Sequence, residues 1–211
     1  KLAYQGDRLS EAVLNGKQLE LFDVLDEDGK KTGVVRERSL VHMDGVPHRT
    51  AHIWVVRKNK DKTYDLLLQK RSRGKDSYPG CYDISSAGHI MAGDEPLPAA
   101  VREMEEELGL TVKAEDLTFI GVHHGAFEAE FYGKMFRDNE LSSVYLYTEP
   151  VEIKDLTLQE SEVEEVIWMD YEECRKQVES GELANCIYLD EFRMVGEYLQ
   201  SRSGQRIERL T

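Results

Sequence analysis

Cysteine is scarce in this 211-residue chain. The three residues, Cys81, Cys174 and Cys186, are far apart, odd in number and without metal-ligand spacing. They read as isolated reduced thiols of a cytoplasmic protein, with neither a disulfide framework nor a cysteine-bound zinc. Long apolar runs are lacking too. None approaches the roughly 20 residues that a helical membrane span needs, and residues 1–7 hold no signal-peptide core. Cations are in deficit: 27 Lys and Arg stand against 41 Asp and Glu, a formal net charge of −14. That balance argues against a nucleic-acid polymer or an anionic membrane as an unaided partner. An acidic protein that handles small anions must recruit metal ions or keep local basic pockets. Repeats, low-complexity tracts and Pro- or Gly-rich linkers are also missing, so the length suits one elaborated domain. Apolar residues make up 40%, enough for a core and too many for a disordered chain.

What is present is an ordered series of strands and helices. Residues 1–18 read as a peripheral, loosely helical arm, and 19–211 as the main domain. Residues 21–25 form a strand, 26–29 a turn, and 33–35 the returning strand. The acids of that turn do not fit a calcium loop, since Val24 and Val35 would fall at its first and last positions. Residues 51–56 and 64–69 flank a charged tip and predict a second hairpin. After Pro79-Gly80, residues 81–86 read as a short strand. Residues 98–108 predict a helix, with Pro98 in the first turn and Gly109 as C-terminal cap. Its apolar face is Leu97, Ala100, Val101, Met104 and Leu108. Strands at 117–122, 143–148 and 163–169 follow, then helices at 171–179 and 187–199. Strands on both sides of one central helix predict an α+β fold with a mixed sheet.

Residues 88–110 read GHIMAGDEPLPAAVREMEEELGL. Glu103, Glu106 and Glu107 stand at i, i+3 and i+4, so one helix face carries three carboxylates. Such a cluster repels itself unless it binds Mg²⁺ or Mn²⁺, which take oxygen ligands and also clamp phosphate. The segment resembles the Nudix box, Gly-x5-Glu-x7-Arg-Glu-apolar-x-Glu-Glu-x-Gly-apolar. Gly88, Arg102, Glu103, Met104, Glu106, Glu107, Gly109 and Leu110 fall on its positions, and Asp94 stands where Glu is usual. The resemblance implies a Nudix-type α/β/α sandwich, here with an N-terminal β-hairpin extension. It implies hydrolysis of a small nucleoside-diphosphate-linked or related diphosphate. Glu103, Glu106 and Glu107 would hold the metal, and Arg102 would position a Glu. Arg102, Glu103 and Glu106 would be the catalytic set. A general base could come from the box or from a later loop. A homodimer is a family habit.

The flanks resemble one branch, the isopentenyl-diphosphate isomerases and related hydrolases. Gln69-Lys70-Arg71, Lys75 and Tyr78-Pro79-Gly80 look like that branch's diphosphate-facing segment, which implies Arg71 and Lys75 as substrate contacts. His48, His89, Asp138 and Glu140 fall on positions of the isomerase metal site. A further histidine position falls near Val41, with His42 adjacent, so that set reads as incomplete. The isomerase thiol position is Ala87, and a methyl group transfers no proton. That departure, with all three box carboxylates intact, favours a hydrolase over an isomerase. A prenyl-diphosphate enzyme and a non-hydrolytic binding module remain as alternatives. Phe127, Phe131, Tyr132 and Phe136 read as a long loop that either stacks a base or packs internally.

Overall fold

Alternation along two apolar strands decides how the layers form. In β6 (His48–Lys58), Ile53 and Val55 point to one side and Trp54 and Val56 to the other, all fully buried. In β7 (Tyr64–Arg71), Leu67 faces the first side, and Leu66 and Leu68 the second. Both faces must therefore be covered. Helix α2 (Pro96–Leu108) covers one face with Ala99, Ala100, Met104 and Leu108. Helices α3 (Tyr171–Ser180) and α4 (Leu189–Arg202) cover the other with Cys174, Val178, Phe192, Val195 and Leu199. The result is the anticipated α/β/α sandwich with a mixed sheet.

The computed structural model describes residues 2–4, 12–14, 16–61 and 63–202. The sheet runs β10 (Leu117–Phe131), β11 (Lys134–Tyr147), β6, β7, β12 (Val163–Asp170). Strands β11 and β6 are parallel and the other neighbours antiparallel. Strands β6 and β7 pair only over Val56–Lys58 and then part. In the fork, β8 (Tyr82–Asp83) pairs with β7, and β9 (Ser86–His89) with β6. Ser85 stitches the fork: its Oγ donates to Leu67 O at 2.5 Å and accepts from Val55 N at 2.7 Å. This is why 81–86 is two short strands on different partners instead of one. Beyond the fork, the sheet opens a cleft under the start of β9.

Strands β4 (Leu21–Leu25) and β5 (Lys31–Glu37) form the N-terminal hairpin, and α1 (Arg38–Asp44) follows them. Two further sequence expectations fail. The arm is not helical: β1 (Leu2–Tyr4), β2 (Ala12–Leu14) and β3 (Lys17–Gln18) form a small antiparallel sheet, the rest of residues 1–15 lying outside the described residues. The aromatic segment 123–136 is not a loop. It continues β10 into β11 through a two-residue turn, Tyr132-Gly133, with φ of +52° and +74°.

Candidate active site

The box helix builds the first half of the site. Gly109, in the left-handed conformation (φ +64°), caps α2 and turns the chain back. Glu103 lies against Gly88 of β9, where a Cβ would come within 2.0 Å of the Glu103 carboxyl carbon. Only glycine leaves room for that carboxylate. Arg102 folds back instead of relying on its i,i+4 partner. It donates to Glu103 Oε1 at 3.3 Å, to His89 O at 3.2 Å and to Asp94 Oδ2 at 3.2 Å, while Glu106 stays 4.0 Å away. Asp94, the departure from the motif, thus anchors the arginine.

Glu107 is buried, and Gln69 Nε2, Ser86 Oγ and Ala87 N donate to its Oε2 at 3.0, 2.8 and 3.3 Å. Burial, helped by the neighbouring Glu103, pushes its pKa up to about 8 despite those donors. Burial also raises Glu103, against the pull of Arg102. Glu107 has no basic partner in hydrogen-bond reach, and Arg102 is the one that Glu103 has.

A second cluster faces the first across the cleft. His48 Nδ1 is tied to Val46 O at 2.8 Å, which aims Nε2 inward. His42, from α1, brings its Nε2 to 3.2 Å from His89 Nε2 and 3.7 Å from Asp138 Oδ1. His42 thus joins His48 and His89, where the sequence left the third histidine position open. Val41 points into the core, and the helical turn of α1 presents its neighbour His42 instead. Glu140 Oε1 lies 3.8 Å from His89 Nε2 and 4.0 Å from His48 Nε2.

Among the described residues, two groups have candidate ligand atoms all within 4.8 Å of one another: His42, His48 and His89, and His48, Asp138 and Glu140. The three box carboxylates do not form such a group. Two buried atoms of the histidine cluster, His48 Nε2 and Asp138 Oδ1, lack hydrogen-bond partners. Orphaned buried atoms of this kind are open to a water or an ion. Burial drives His42 down to about 4 and lowers His48 and His89, which keeps the imidazoles in the neutral, ligating form. Burial and the adjacent Glu140 raise Asp138. Burial would also raise Glu140, but its contacts with His52 outweigh that and hold it low.

Both clusters line one cavity of about 450 Å³. Its cations are matched by acids. Arg71 donates to Ser77 O and to Asp83 Oδ2 at 3.1 Å, Lys75 is paired with Glu162, and Arg38 bridges Glu20 and Asp76 at 3.1 Å each. The expected basic pocket is thus electrically offset from within. Phe127 and Phe136 line the cavity as well, and Phe136 stacks on His42 with ring centroids 4.4 Å apart. Tyr78 meets Phe127 and Phe131 edge-on. These aromatics pack as one wall, the internal role already weighed from sequence.

Sequence reasoning missed Glu162, which lies in a surface-looking acidic run. The loop holding it is docked on the end of α2 by Thr157 N to Leu108 O and Gln159 N to Glu107 O, both 3.0 Å. That docking, with Ser72 N donating to Glu162 O at 2.9 Å, brings Glu162 into the cavity.

The site is thus a glycine-cradled, arginine-anchored carboxylate helix beside a split mixed sheet. The NUDIX domain profile matches residues 46–185, and the chain belongs to the Nudix family. It is 46% identical over 158 residues to Nudix hydrolase 3 of Arabidopsis thaliana, covering 74% of this chain and 20% of that protein. It is 36% identical over 93 residues to an isopentenyl-diphosphate Δ-isomerase of Corynebacterium diphtheriae, 44% of this chain and 49% of the isomerase. A crystal structure of DR0079 from Deinococcus radiodurans shares the fold, with a TM-score of 0.59, 16% identity, and coverage of 88% of this chain and all of that one.

Proposed function

We propose that this domain hydrolyses the diphosphate bond of a small nucleoside-diphosphate-linked or related substrate, with Mg²⁺ (or Mn²⁺) as cofactor. The observation that carries the reading is the pair of neighbouring carboxylates Glu103 and Glu107, both raised in pKa, Glu107 buried with no basic partner and Glu103 tied only to Arg102, in a cavity whose other side-chain cations are offset by acids. Glu103, Glu106 and Glu107 would hold the metal. Bound there, Mg²⁺ would neutralise the diphosphate and lower the pKa of an attacking water.

The chain's own residues do the rest. Arg102 orients Glu103 through its three-way anchorage. Gln69 and Ser86 fix one oxygen of Glu107 and leave the other free. Arg71 and Lys75 would contact the diphosphate, Lys75 exchanging Glu162 for phosphate. Glu162, so released, is the loop carboxylate placed to take a proton from water. The working unit in this reading is residues 19–211, with 1–18 as a peripheral arm whose end, Gln18, reaches the cavity.

His42, His48, His89, Asp138 and Glu140 would hold a second metal. This favours a second reading, a prenyl-diphosphate substrate, because the set matches the isomerase branch and the cavity wall is aromatic. Isomerisation itself is disfavoured by Ala87.

The test is turnover with Mg²⁺ on ADP-ribose, diadenosine tetraphosphate and isopentenyl diphosphate, followed by phosphate release and proton NMR. Cleavage at the diphosphate should fall at least 100-fold in Glu106→Gln and Glu107→Gln. Full activity in both variants rejects the metal assignment. Formation of dimethylallyl diphosphate overturns the hydrolase reading. Tight binding without turnover identifies a binding module.

A further inference from the structure

Glu191, in the first turn of α4, is 1% exposed. A carboxylate at that depth is destabilising unless it is paired and hydrogen-bonded. Two side chains of β6 meet the need: Trp54 Nε1 donates to Oε1 at 2.9 Å, and His52 Nδ1 lies 3.0 and 2.9 Å from the two oxygens. His52 Nε2 points the other way. It faces Glu140 Oε2 at 3.5 Å, between Thr50 Oγ1 and Ser142 Oγ at 3.4 Å each.

An imidazole between two carboxylates has an acceptor on each side, Glu191 for Nδ1 and Glu140 for Nε2. Thr50 adds a hydrogen bond to the same Glu140 oxygen at 3.3 Å. Glu140 is thereby divided: Oε2 is held by His52 and Thr50, and Oε1 is turned to His48 and His89. Across the strand ladder, the residue opposite His52 is Ala87. The methyl that replaces the isomerase thiol thus faces the imidazole.

We propose that Glu191 and His52 are positioning residues for Glu140: the C-terminal helix clamps His52, and His52 holds one oxygen of Glu140 so that the other faces the histidine cluster. The inference rests on the reading of that cluster as a metal site. Outer partners of this kind change metal affinity about 10–100-fold when removed.

The test is Co²⁺ titration of the purified full chain by visible absorbance, counting the component that His48→Ala removes, beside thermal unfolding of each metal-free protein. His52→Asn keeps the bond to Glu191 and cannot reach Glu140; it should weaken Co²⁺ about 10–100-fold. His52→Gln places an amide near the Nε2 position but gives up the Glu191 clamp, and should weaken Co²⁺ distinctly less than His52→Asn does. Glu191→Gln, which keeps an acceptor for Trp54, should weaken Co²⁺ about tenfold. Unchanged affinity in His52→Asn and Glu191→Gln, with only a lower melting temperature, reduces the network to a structural tie and overturns the proposal. Equal weakening in His52→Gln and His52→Asn overturns it too. A wild-type protein with no His48-dependent Co²⁺ binding removes the metal reading and this inference together.

Discussion

At the residue scale, the most consequential group is the Glu107 carboxyl. It is raised to about 8 by burial, then by Glu103. An ordinary glutamate in the unfolded chain titrates near 4.3. Between those values the folded protein holds a proton that the unfolded chain has released. Stability of the metal-free protein therefore falls as pH rises through this window, by at most about 1.4 kcal/mol per pH unit from this one group. The difference between the two proteins isolates the effect from that of other groups. Denaturant unfolding of metal-free wild type and Glu107→Gln from pH 5 to 8 should show the variant gaining relative stability as pH rises. A pH-independent difference would return Glu107 to an ordinary carboxylate.

At the element scale, α4 is seated by the absence of a side chain. A Cβ on Gly196 would come within 2.1 Å of the Tyr171 hydroxyl and 2.5 Å of its ring. Tyr171 stacks on Phe192 at 4.5 Å and donates to Phe192 O at 3.1 Å. Gly196→Ala should push this ring aside and destabilise the fold by about 1–3 kcal/mol, measured by denaturant midpoint. Because α4 carries Glu191, the same variant should disturb the histidine side of the cavity more than the box side. Strands and helices with a strong period were legible in the sequence: α2 with its glycine cap, β6, β7, β12, and the β4–β5 hairpin. The continuation of β10 into β11 was not. His123, His124 and the phenylalanines lack clean alternation, and Tyr132-Gly133 is not a common two-residue turn pair. Partner strands made that ribbon, through a register unbroken from Gly121 to Phe131.

At the scale of the whole molecule, the charge of −14 divides by place. Residues 94–107 hold six acids and one Arg, net −5, and 149–182 hold twelve acids and three bases, net −9. The first run is largely site. The second is mostly surface, where Glu164 and Glu165 pair with Lys70, except for Glu162 in the cavity. With like charges gathered in the cavity, metal binding as proposed would stabilise the whole fold. A divalent cation at 100 times its dissociation constant adds about 2.7 kcal/mol, or roughly 5–10 °C in melting temperature for a chain of this size. Differential scanning fluorimetry with Mg²⁺ and Mn²⁺ against EDTA checks it, and Glu103→Gln should shrink the shift. An equal rise with a monovalent salt of matched ionic strength would indicate screening alone.

The sequence by itself determined the box: which residues share one face of α2, where the helix ends, and that Ala87 cannot carry a proton. Those properties follow from local geometry, since helical spacing and side-chain chemistry need no partner. Tertiary structure alone decided the rest. Residues 42, 48, 89, 138 and 140 meet because β6, β9 and β11 lie side by side and α1 packs over their ends. Glu162 enters because its loop docks on α2, and Glu191 reaches His52 across 139 residues of chain. Contacts between distant segments depend on sheet order and helix packing, and no local pattern in the chain encodes them.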